Sequence, residues 1–224
     1  PIVEGYKSYS AIGLRMDLSD PFTFHAVDLS ASYTPAQGLP ADQRWHASAG
    51  WRHRHLSARF RYNGASFYDL VGPTKVSRKG YNLGLNYERT LVRDEPRTLD
   101  FEAGVNGYAG LERLPDYQNV STSPGFDKMV SASAQLSYKN TRSSLGSVDT
   151  EKGTLWRLEA FQNTVRFERL GHAAWRGFPL FAGTMDLGLP LPVGHASVWL
   201  RSAAGYSPGD PEEPFANFFF GGFG

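Results

Sequence analysis

Residues Trp45 to Tyr62 read WHASAGWRHRHLSARFRY. Taken two at a time, the first half sets Trp45, Ala47, Ala49 and Trp51 against His46, Ser48, Gly50 and Arg52, and the second sets Leu56, Ala58, Phe60 and Tyr62 against Ser57, Arg59 and Arg61. A period of two marks extended chain, whose successive side chains point to opposite faces. A surface helix would instead repeat its apolar residues at three and four positions. Arg54-His55 is all that separates the halves, so the stretch predicts two antiparallel strands joined by a tight turn, apolar on one face and polar on the other.

The same rhythm runs outward in both directions. Apolar series recur at Ile12, Leu14, Met16, Leu18; at Val27, Leu29, Ala31, Tyr33; at Tyr81, Leu83, Leu85, Tyr87; at Leu99, Phe101, Ala103, Val105; and at Val130, Ala132, Ala134, Leu136, Tyr138. Weaker alternation follows around Leu155 to Phe161, Leu180 to Leu189 and Ala196 to Ala204, and a fragment lies at Phe218 to Phe223. Ten strands and a partial eleventh are therefore expected. The connections Ser19 to Pro21, Arg54-His55, Val92 to Thr98 and Pro190 to Gly194 are short. Thr34 to Gln43, Gly64 to Gly80, Ala109 to Phe126 and Tyr206 to Ala216 are long. Lys139 to Gly153 is long where a short turn is due. The predicted fold class is all-β, an antiparallel up-and-down transmembrane β-barrel forming one domain over residues 1–224, truncated on its C-terminal side.

Composition narrows the partners. With 23 Lys and Arg against 22 Asp and Glu, no bulk field favours nucleic acid. The absence of cysteine excludes disulfides, thiolate metal sites and cysteine nucleophiles. No apolar run reaches the 18 or more residues of a helical membrane span. Alternation alone does not decide which face meets water, since a soluble barrel also alternates, with its apolar residues inside. Three features favour an apolar face turned to lipid: polar series without lysine, Trp and Tyr at the ends of the apolar series, and the contrast between short turns and long loops. Strands can cross lipid only in a closed barrel, because every backbone polar group must be paired internally.

Two stretches carry a resemblance. The connection Tyr138-Lys139-Asn140-Thr141-Arg142, continuing through Asp149, Glu151, Lys152 and Gly153, is similar to the aspartate-x-arginine and proline-x-x-glycine hairpin of the bacterial surface antigen family, with Asn140 and Glu151 replacing the usual residues. Phe215 to Gly222, with Phe218, Gly221 and Gly222, resembles the aromatic-Gly-Gly strand of the same family. That family includes BamA-like and two-partner-secretion barrels. The final segment also resembles the barrel that follows a TolB-like propeller in some large surface antigen proteins. The resemblance implies a bacterial outer-membrane location and a role in outer-membrane assembly or translocation. It also implies partners among outer-membrane lipid, lipopolysaccharide and a periplasmic domain of the same longer chain.

The polar faces bring Arg15, Arg52, Arg59 and Arg61 together with Asp17, Asp28, Glu88, Asp100 and Glu102 as lumen-lining candidates. Such charges either tune ion passage or pack the interior as bidentate Arg-carboxylate pairs; the packed network is the expectation. His46 with Ser48 and His195 with Ser197 each share a strand face, as in an outer-membrane hydrolase, and coincidence accounts for such spacing among six His. The rivals to the barrel are that hydrolase and a soluble barrel binding an apolar ligand. Lys75, Arg78 and Lys79 in the loop from Gly64 to Gly80 are candidates for lipopolysaccharide phosphates or for plain solvation. Trp51-Arg52-His53-Arg54-His55 lacks a further ligand at metal-site spacing. Neither a cofactor nor an enzymatic activity is predicted.

Overall fold

The computed structural model describes residues 1–6, 9–22, 24–64, 79–111, 126–147, 149–169 and 172–209. They form one sheet of eleven antiparallel strands, each hydrogen-bonded to the next in chain order. The strands are β1 (Ile2–Tyr6), β2 (Tyr9–Ser19), β3 (His25–Tyr33), β4 (Trp45–His53), β5 (Leu56–Tyr62), β6 (Tyr81–Asp94), β7 (Arg97–Ala109), β8 (Phe126–Arg142), β9 (Lys152–Arg169), β10 (His172–Pro190) and β11 (Ser197–Tyr206). A single 3-10 turn, Ala41–Gln43, interrupts the β3–β4 connection. The chain is thus all-β with up-and-down topology. Among the described residues β1 and β11 are the two edges of an open sheet.

The ten segments found by alternation are β2 to β11. β1 has too little contrast to be seen, because its outward positions are Val3 and a glycine, Gly5. β9 and β10 run to 18 and 19 residues, well beyond their predicted cores. Only two residues separate them, so one connection at the loop end is short, against expectation. Phe218 to Phe223 lie outside the described residues.

Register ties the faces together. Ile12, Leu14, Met16 and Leu18 lie opposite Tyr33, Ala31, Leu29 and Val27, which in turn face Trp45, Ala47, Ala49 and Trp51. A register shift at Leu91 lets β6 pass Thr90 opposite Asp100 and then Val92 opposite Leu99, so the apolar face is regained after one extra residue. The apolar face is the exposed one: Leu14 is 72% exposed, Leu85 58% and Leu200 57%. The polar face is the enclosed one toward the loop end, with Ser32, His46, Asn82, Ser131 and Asn163 all buried, while Arg52, Arg59 and Glu88 nearer the short turns are exposed. We call these the outer and inner faces.

The inner face is crowded enough that glycine is required on it. A Cβ at Gly13 would collide with the Ala31 carbonyl and the Ser32 backbone, and Cβ atoms at Gly50, Gly84 and Gly104 would run into the side chains of Asp28, Asn106 and Asn86. Each glycine therefore leaves room for a polar side chain from the neighbouring strand. At the loop end, buried Asn63 holds the β3–β4 connection, donating to the carbonyls of Asp42 (2.7 Å) and Trp45 (2.9 Å). Its φ of 51° is the left-handed conformation that Asn tolerates.

The weak alternation of β9 and β10 has a structural cause. Their inner positions include Phe161, Val165, Phe178 and Leu180, so both faces carry apolar residues. Met129, Val165, Phe178 and Leu180 are buried together there with the bonded pair Ser131 and Asn163. The inner face is polar on β2 to β7 and mixed beyond.

Gly13→Val is expected to destabilise the sheet by about 1–3 kcal/mol through overpacking against backbone that has no room to yield. Gly5→Val, where a Cβ meets nothing within 4 Å, serves as the control. Urea unfolding in detergent, followed by tryptophan fluorescence, checks this; equal midpoints for the two variants would contradict the crowding.

Candidate functional site

All nine lumen-lining candidates fall on the inner face, because the ladder keeps the period-two pattern in step from strand to strand. One inner row runs Arg15, Ser30, Ser48, Arg61, Asn82 and Tyr108 across six strands. The next runs Asp17, Asp28, Gly50, Arg59, Gly84 and Asn106. A third places Arg52 between Ala26 and Ser57. Two cavities open on this wall. One, about 230 Å³, is lined by Glu4, Arg15, Asp28, Ser30, Ser48, Arg59 and Arg61. The other, about 450 Å³, shares Arg15, Asp28 and Arg59 and extends past Arg52 to Glu88 at the short-turn end.

The expected Arg-carboxylate network is realised at only one place among the nine. Arg15 Nε donates to Asp17 Oδ1 at 2.9 Å. Arg52, Arg59 and Arg61 have no carboxylate within ion-pair distance among the described residues. The reason is register: Asp28 lies opposite Asp17, and Glu88 lies opposite Glu102, so like charges face one another while the free arginines stand beside glycine, serine and asparagine. Asp100 accepts the Thr90 hydroxyl at 2.7 Å. Inner-face ion pairs occur instead at Arg157–Glu159 (3.8 Å) and Arg201–Asp186 (3.7 Å), on strands whose faces the weak alternation does not reveal.

The floor of the smaller cavity is polar. The Ser30 and Ser48 hydroxyls bond each other at 2.8 Å. Ser32 donates to Glu4 at 3.3 Å across the space left by Gly13.

Neither His-Ser pair is joined. His46 Nε2 lies 2.8 Å from the Thr34 hydroxyl and its Nδ1 3.4 Å from the Asn63 carbonyl, while Ser48 bonds Ser30. His195 bonds Glu151 and Ser144 rather than Ser197. His53 does find another histidine, His25 on the adjacent strand, with Nδ1 atoms 3.1 Å apart and stacked rings. His55 turns away to the Glu88 carbonyl at 2.9 Å. Among the described residues no group of three or more His, Asp and Glu is placed to hold a metal ion.

Of the loop cations, Lys79 pairs with Asp42 at 2.8 Å, linking two loops. Lys75 and Arg78 lie outside the described residues. So do Phe218, Gly221 and Gly222 of the family-like motif. Arg142 ends β8, and Gly153 lies in β9 with a φ of 139°, where a Cβ would meet the Asn140 carbonyl.

The long connection after Arg142 is held by a clasp that local sequence patterns do not show. The Ser144 hydroxyl donates to Glu151 Oε2 at 2.6 Å, and His195, from the β10–β11 connection, meets Glu151 Oε1 at 2.9 Å. Glu151 Oε1 and Oε2 thus join two turns that are 44 residues apart in sequence. The Ser144 bond, and after it the His195 bond, hold the Glu151 carboxyl below the usual range for glutamic acid.

A carboxyl with a lowered native pKa contributes stability above its unfolded pKa and loses that contribution as pH falls through the native one. The Glu151 carboxyl carbon is therefore expected to titrate below an unperturbed glutamate in NMR, and Ser144→Ala is expected to move its midpoint upward. An unchanged midpoint in that variant would remove the clasp. Comparison of the chain with protein-family models, with curated proteins and with solved structures finds no match.

Proposed function

We propose that this sheet is the wall of a bacterial outer-membrane β-barrel of the surface antigen type, acting in outer-membrane assembly or in translocation of protein or lipid. One observation carries this reading: the outer face exposes a large apolar side chain on every strand, from Val3 and Leu14 through Leu29, Trp45, Leu56, Leu83, Val105, Val130, Leu158 and Phe181 to Leu200. Soluble monomers rarely leave contiguous apolar patches beyond a few hundred Å² in water. A belt that crosses eleven strands matches an apolar solvent. The soluble alternative needs the reverse orientation, with the apolar residues enclosed.

The ends of the belt support the same reading. Tyr33 packs on Trp45 and Tyr62 on Tyr81 at the loop end, with ring centroids 4.9 and 4.8 Å apart. Tyr87 packs near Phe101, and Tyr138 on Trp156 at 5.5 Å, toward the short turns. Trp45 and Trp51, like Tyr81 and Tyr87, stand six residues apart on one strand, about 20 Å along it. Amphipathic rings in two such rows suit the two water interfaces of a bilayer, whose barrel belt is about 25 Å tall. Among the described residues no helix is long and apolar enough to cross a membrane.

Translocation rests on the inner wall, where hydroxyls, amides and charges would replace water around a polar cargo. Leu85→Arg, between the two aromatic rows, is expected to cost about 2–4 kcal/mol of stability in phospholipid vesicles. Asn86→Arg, its inner-face neighbour, is expected to cost much less. Equal costs, or recovery of the full-length protein from the aqueous phase without detergent, would overturn the membrane reading.

A further inference from the structure

The three arginines without carboxylate partners are not scattered. Arg59 and Arg61 stand two residues apart on β5, about 7 Å along the strand, and Arg52 occupies the next inner row on β4. The cations therefore step along one line of the inner face toward the short turns. Their neighbours in each row are small or uncharged: Ser48 and Asn82 beside Arg61, Gly50 and Gly84 beside Arg59, Ala26 and Ser57 beside Arg52.

Carboxylates line the same cavities, none of them within ion-pair distance of these three arginines. Asp17 takes Arg15, Glu4 accepts from Ser32, and the Asp28 side chain lies over Gly50. Arg59 and Arg61 line one cavity, and their fork of N–H donors is left for whatever enters it. A planar fork of this kind matches the oxygens of a phosphate bidentately. The Ser30–Ser48 pair, bonded to each other, keeps one hydroxyl donor free beneath it, in a space of about 230 Å³ that accommodates a phosphate group with its water.

We propose that Arg59 and Arg61, above the Ser30–Ser48 floor, form a binding site for a phosphate group, and that Arg52 extends it into an anion track along the inner wall. The site depends on the inner-face geometry and not on the membrane reading, so either can fail alone. If the wall lines a lumen, it selects anionic cargo.

The test is calorimetric titration of the full chain in a zwitterionic detergent, with inorganic phosphate in one arm and dihexanoyl phosphatidic acid in the other. Saturable binding is expected, weakened at least about tenfold in R59Q/R61Q by loss of charge-assisted bonds, with part of the affinity kept in R59K/R61K. Binding in both arms assigns the site to the phosphate group itself; binding of the phosphatidate alone assigns it to a lipid headgroup. S48D provides a second variant, because it sets a carboxylate opposite Arg61, and it is expected to abolish binding. Absence of saturable binding in both arms overturns the proposal, as does undiminished binding in R59Q/R61Q or S48D.

Discussion

The structure depends on one constraint, the antiparallel hydrogen-bond ladder that keeps the period-two pattern in step across eleven strands. Because successive side chains alternate, a slip of one residue between any two strands would send Leu83, Leu85 and their neighbours to the inner face and Asn82 and Gly84 to the outer. The sheet answers this with long unbroken pairings, such as the 17 pairs from Gly188–Gly153 to His172–Arg169. Where β6 carries an extra residue, a register shift at Leu91 absorbs it. The apolar belt and the arginine line both take their side of the sheet from that ladder.

Packing on the two faces follows different rules. On the outer face large apolar groups stand exposed, a pattern that the proposed membrane setting would accommodate. On the inner face space is scarce, and glycine does the accommodating: Gly13, Gly50, Gly84 and Gly104 each sit beneath a neighbour's polar side chain. Desolvated polar groups there are bonded, as Thr34 is to His46 and Ser131 to Asn163. The arginines at 52, 59 and 61 make no ion pair among the described residues, and they stand open to solvent, Arg52 and Arg59 exposed and Arg61 half-buried.

Much of the fold was legible in the sequence, since alternation is a local signal and β2 to β8 state it without interruption. β1 was missed for lack of contrast, and β9 and β10 were underestimated because Val165, Phe178 and Leu180 make their inner positions apolar too. The inner-face membership of all nine charged candidates was legible on the same ground. Their pairing was not, because it depends on which residues stand opposite, and opposite charges in the list turned out to face like charges or neutral groups.

The sequence by itself determined which residues share a face, because the two-residue period of an extended chain needs no knowledge of neighbours. Only the tertiary structure decided which face is enclosed, since alternation is symmetric and enclosure is a property of the whole sheet. It also decided who meets whom: His25 with His53, Ser144 and Glu151 with His195, and Arg59 with two glycines. Such contacts rest on register between strands, a long-range quantity that no local pattern encodes.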